Sequence, residues 1–195
     1  MRDLDRTWRA ENGYLVPDLP NFTIKYIGVW DTVGELGIPK YLLISEATNA
    51  KYAFHDLKLS STVEAARQAL AVDENRLEFE PTEWDNLPDL NAVRPGNYQQ
   101  IWFPGDHGSV GGGGDIRGLS NDALAWVLEG AVAQWADFDA QMLANWETIA
   151  DPLAPLHNSS KPLDFTDRYL YRHGPRKGPV DPAHLAPRDA DAAGI

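Results

Sequence analysis

The 195-residue chain contains no cysteine, which excludes disulfides and thiolate metal sites. It has no apolar run near the ~20 residues that a membrane span needs. Its opening stretch, MRDLDRTWRAENGY, lacks the apolar core of a signal peptide. The expectation is synthesis in the cytoplasm, compatible with signal-less export. Basic residues are few: 17 Lys and Arg stand against 29 Asp and Glu, a net charge of -12. That argues against nucleic acid or an anionic membrane as an electrostatic partner, though not against docking on lipid through an apolar patch. The five histidines, His55, His107, His157, His173 and His184, show no H-x-x-x-H pairing, so no metal site is expected. No cofactor is expected either. The glycines lack a Walker Lys-Ser/Thr ending, and no G-x-G-x-x-G opens a helix after a strand. The acids Asp73 and Glu74 are expected in a salt bridge to Arg76 or Arg67 rather than around an ion.

What is present suits a folded domain. Hydrophobic residues make up 43% of the chain, enough for one core. FTIKYIGVW, residues 22–30, is aromatic, β-branched and nearly continuous in apolar residues, as a strand covered on both faces would be. SSTVEAARQALAVDENR reads as a helix, with Ser61 and Glu64 in a capping-box pattern. YQQIWF reads as a second strand. LSNDALAWVLEGAVAQW reads as the strongest helix, capped by Ser120, with Leu124, Val127, Leu128, Ala131 and Trp135 on one stripe. A further helix is expected near 137–149, and Trp30 and Trp102 are expected to be buried. Residues 1–21 suggest an extension without strong structure, 22–150 the domain, and 151–195 a Pro-rich wrapping extension. Strands alternating with helices predict an α/β fold with a mostly parallel sheet.

In such sheets, functional groups gather beyond the carboxyl ends of the strands. Asp31 directly follows the first predicted strand, and His107 follows the second, inside QQIWFPGDHGSVGGGG. A histidine there can act as a general base, oriented by a buried carboxylate. Asp then His is the chain order of the last two triad members in α/β-hydrolases. By spacing alone the signal is weak, and Asp31 capping a loop with His107 bonded within a turn is the more ordinary reading. HGSVG resembles a nucleophile elbow, but His107 occupies the close-packed first glycine position and Ser109 follows the acid. Ser109 is therefore a poor candidate for the nucleophile. The other serines, at 45, 60, 61, 120, 159 and 160, have no elbow context. The glycines read as a sharp return beside a crowded site, with Gly108, Gly111 and Gly112 as candidate oxyanion or loop support.

KYIGVWDTVGELGIP, ARQALAVDENRLEFEPTEW and QQIWFPGDHGSVGGG…GLSNDALAWVLEGA occur in that order. Together they resemble the C-terminal half of the domain of unknown function 2235. This is the α/β-hydrolase domain of phospholipase effectors of the type VI secretion system. The resemblance spans about residues 22–136 and continues through DPLAPLHNSS and HLAPR. It implies that Asp31 is the triad acid and His107 the base, acting on an ester such as a phospholipid. Two positions depart from the pattern: Ser109 stands where the family has Asp, and Gly114 where it has an aromatic. The family's G-F-S-R-G-A elbow, DGT segment and early strands do not occur in the residues before Asp31. The implied fold is a partial α/β-hydrolase fold without its N-terminal strands and elbow. Two roles follow as expectations. One is the acid-and-histidine portion of a serine hydrolase, inactive alone and completed by an N-terminal half or a homo-oligomer partner. The other is a non-catalytic remnant that serves as a binding or scaffold module.

Overall fold

The computed structural model describes residues 2–14, 23–33, 57–157, 173–174 and 176. Most of the TVGELGIP loop, His55, His184, Ser45, Ser159, Ser160 and the HLAPR segment lie outside the described residues. Helix α1 spans Arg2–Glu11. Strands β1 (Ile27–Trp30), β2 (Ala66–Ala71) and β3 (Tyr98–Phe103) form a parallel sheet in the order β1-β2-β3. A 3-10 turn covers Leu77–Phe79, and α2 covers Leu87–Val93. After β3 come the short helix α3 (His107–Gly111), the long α4 (Gly118–Ala133) and α5 (Ala140–Ile149). The described chain is thus α/β, a parallel sheet flanked by helices.

The central strand overturns one expectation. ARQALA was read within a helix, and its composition favours helix. It is β2, and five of its six residues are buried. It pairs on both edges, Ile27 opposite Ala66 on one side and Ala66 opposite Tyr98 on the other. Ladder bonds on both sides outweigh a propensity worth only tenths of a kcal/mol per residue. Small alanines at 69 and 71 also let Val110, Ala123 and Val127 pack close against the sheet. On the opposite side Leu59, Val63, Ala66 and Tyr98 form a second core with Trp84, Leu87 and Leu90 packed on it. Ser61 and Glu64 accordingly form no capping box; they precede a strand.

Three smaller corrections have local causes. Residues 2–11 form a helix where no strong element was expected. Helix α4 begins at Gly118, so Ser120 sits in its first turn and donates to Arg117 O at 3.1 Å instead of capping it. The helix ends at Ala133, and Trp135 lies beyond it with φ 70° and 94% exposure, off the predicted buried stripe. Trp102 is buried, whereas Trp30, on β1, is only partly so. Gly28 admits α4 closely: a Cβ there would collide with Val127.

Tyr26 links sheet to helix. Its hydroxyl donates to Val127 O at 2.6 Å, and burial pushes its pKa to about 12 despite the opposing Arg67 charge. A raised folded pKa means that the folded state keeps its proton after the unfolded chain has released one. Stability should therefore fall as pH rises from 10.0 to about 12. The Tyr26→Phe variant should lose this slope and cost about 1 kcal/mol at neutral pH. Denaturant midpoints measured across that pH range check both.

Candidate active site

The parallel register places the carboxyl ends of the three strands side by side. Trp30 lies opposite Ala69, and Ala71 opposite Phe103. Asp31 is the first residue past β1. Its backbone N–H still reaches Ala69 O at 2.6 Å, while its φ of 38° turns the chain sharply. That left-handed conformation is uncommon for a non-glycine residue. The turn directs the carboxylate over the end of β2, where Ala71 N–H donates to its Oδ1 at 2.9 Å. Past β3, Gly105 adopts φ 107°, and a Cβ there would lie 2.6 Å from that of Ser109. Only glycine makes this turn without strain. It leads to Asp106, whose Oδ1 caps α3 by accepting Ser109 N–H at 2.7 Å.

His107 opens α3, and its Nδ1 lies 2.7 Å from Asp31 Oδ2. The carboxylate is fully buried, while the imidazole is 34% exposed. With Nδ1–H donated to the acid, Nε2 is left without a partner among the described residues. The ring is further fixed by edge contact with Phe79, at 5.1 Å between centroids. Its backbone N–H donates to Glu74 Oε2 at 3.2 Å.

Sequence reasoning missed Arg176, from the C-terminal segment. Its guanidinium is 2% exposed and grips both oxygens of Asp31, Nη1 to Oδ1 at 2.7 Å and Nη2 to Oδ2 at 3.1 Å. The same two nitrogens donate to the carbonyls of Ala71 and Phe79. Asp31 thus accepts from Ala71, His107 and Arg176 together, which fills its roughly four lone-pair sites. The buried negative charge is paired at the same time. Nothing in a stretch such as HGPRKGP marks its single arginine for this position.

A cavity of about 580 Å³ opens beside His107. Its wall includes Asp73, Glu74, Asn75, Arg76, Phe79, Asp106, Gly108, Leu156, His157 and His173. Glu74 pairs with Arg76 at 2.7 Å. Burial alone would raise its pKa. The hydrogen bonds and charge of Arg76 and the N–H of His107 outweigh that and hold it below 4.5. A lowered folded pKa stabilises the fold above the unfolded value, and that contribution disappears as pH falls through the folded one. Glu74→Gln should therefore flatten the loss of stability on acidification below pH 4.5. Acid unfolding curves of the two chains test this.

The remaining sequence candidates fall elsewhere. Ser109 is 1% exposed and commits its hydroxyl to Leu156 O at 2.7 Å. Gly108 lines the cavity. Gly112 closes α3 with φ 83°, its N–H committed to Gly108 O at 2.8 Å. Gly111 sits in the last turn of that helix. No group of three or more His, Asp or Glu suited to a metal occurs among the described residues. No helix among them is long and apolar enough to cross a membrane.

A family model described as "T6SS, Phospholipase effector Tle1-like, catalytic domain" matches residues 9–130, which include both Asp31 and His107. The matched range begins earlier than the resemblance near residue 22. No curated protein and no solved structure matches the chain.

Proposed function

We propose a function from one premise: the chain belongs to the Tle1-like phospholipase effector catalytic-domain family of the type VI secretion system. It carries the acid and base of a serine hydrolase that cleaves a carboxylic ester of a phospholipid. The 2.7 Å contact between buried Asp31 and half-buried His107 carries this reading. A hydroxyl at Nε2 would lose its proton to the ring as its oxygen attacks the ester carbonyl. Asp31, holding Nδ1–H, fixes the tautomer and stabilises the imidazolium, which then returns the proton to the leaving alcohol.

In this proposal the serine lies outside the described residues, on the elbow-bearing segment of an α/β-hydrolase domain. Support comes from three of the four described serines. Ser109 is buried, Ser120 faces Arg117 O, and Ser60 bonds Thr62. That same observation favours a second reading, a non-catalytic remnant that retains the fold as a binding or scaffold module. A fluorophosphonate probe separates them. The chain alone should stay unlabelled and fail to cleave phospholipid, and assembly with the elbow-bearing segment should restore both. Labelling of the isolated chain would refute the external serine, and an assembly inert to probe and lipid would favour the remnant.

A further inference from the structure

DPLAPLHNSS contains a histidine that the Asp31–His107 pair does not use. Its His157 Nδ1 lies 2.8 Å from Asp106 Oδ2, which makes a second acid–imidazole pair on the wall of the same cavity. Asp106 and His107 are consecutive, yet their side chains build different pairs. We propose that His157 binds a phosphate oxygen of the substrate whose ester bond is presented to His107. This rests on the ester-hydrolase reading of Asp31 and His107.

The second pair stands on a rigid support. Asp106 Oδ1 is fixed by Ser109 N–H at 2.7 Å. Leu156 O accepts both Asp106 N–H at 3.1 Å and the buried Ser109 hydroxyl at 2.7 Å. The residue before His157 is thus tied to the turn that carries His107. With Nδ1 engaged by Asp106, His157 Nε2 has no partner among the described residues, and the side chain is 41% exposed. In its protonated form the ring offers Nε2–H as a charged donor, suited to an anionic oxygen. Acids on the same wall already have partners: Glu74 holds Arg76, and Asp73 Oδ2 accepts Gly105 N–H at 2.7 Å. A phospholipid joins a carboxylic ester and a phosphodiester in one molecule, so one cavity with two fixed imidazoles can address both.

The test follows the imidazole resonances of His157 by NMR in the full chain. The probes are sn-glycero-3-phosphocholine, inorganic phosphate and the neutral ester glycerol triacetate. The phosphodiester should shift His157, and the neutral ester should not. His157→Asn puts an amide nitrogen where Nδ1 sits, keeps the Asp106 contact and removes Nε2. It should weaken phosphodiester binding about tenfold or more while the unfolding temperature stays near the parent's. A purely structural His157 would leave binding unchanged in that variant, and such a result overturns the proposal. An unshifted His157 overturns it too, and the parent chain alone decides this if the Asn variant folds poorly. Binding of inorganic phosphate without the diester would reassign the pocket to free phosphate. The readout is binding, so a His157 shift without ester turnover in any assembly removes the hydrolase reading alone.

Discussion

Replacing His107 with Ala should lower kcat/KM for phospholipid ester cleavage by a factor of ~10³ or more in the assembled enzyme. The loss should fall on kcat rather than KM, because in the proposed role the imidazole acts on the proton in flight and not on ground-state binding. The substitution should also cost the fold about 1–3 kcal/mol, because fully buried Asp31 loses one of its donors. Asp31→Asn separates orientation from proton transfer. An amide cannot pair with both the guanidinium and Nδ1–H as the carboxylate does, so it should favour the wrong tautomer and lower kcat strongly as well. An assembled enzyme that keeps its rate with Ala at 107 would require another base, and His157 would be the first to examine.

Arg176→Met should destabilise the fold by about 3–5 kcal/mol, the cost of stranding one member of a buried ion pair. The negative charge of Asp31, fully buried, would keep only Ala71 N–H and the imidazole. The carbonyls of Ala71 and Phe79 would lose their donors as well. The double variant Asp31→Asn with Arg176→Met removes both charges. It should recover part of that loss, because the uncompensated carboxylate is then gone. Urea midpoints of the single and double variants measure the coupling. Additive losses would mean that the guanidinium serves the two carbonyls and not the carboxylate. The wider consequence is that the acid we propose for the active site depends on residue 176, far along the chain from β1.

Much of the frame is legible in the sequence. IGVW and YQQIWF are apolar and end in polar turns, and they are β1 and β3. The long apolar periodicity after Arg117 is α4. Asp31 and His107 could be paired in advance because parallel strands end at one edge, whatever lies between them. ARQALA was misread because its alanines, glutamine and arginine favour a helix when alone. Its strand character comes from two neighbours that supply ladder bonds, and Gln68 is kept inside by donating to Thr32 Oγ1 and Thr82 O, both at 3.0 Å. Trp135 was misplaced for the opposite reason: periodicity continued past the point where the backbone left the helix.

The order of residues by itself determined that the chain would be α/β, acidic, free of cysteine chemistry, and carry an acid and a histidine at two strand ends. Those features depend on composition and on contacts close along the chain. Only the tertiary structure decided that Arg176 would clamp Asp31 and that Asp106 would hold His157. It likewise decided that residues 66–71 would be the central strand. Each of these joins groups far apart in the chain, and such contacts arise when burial leaves a polar group no other partner, a condition no local pattern records.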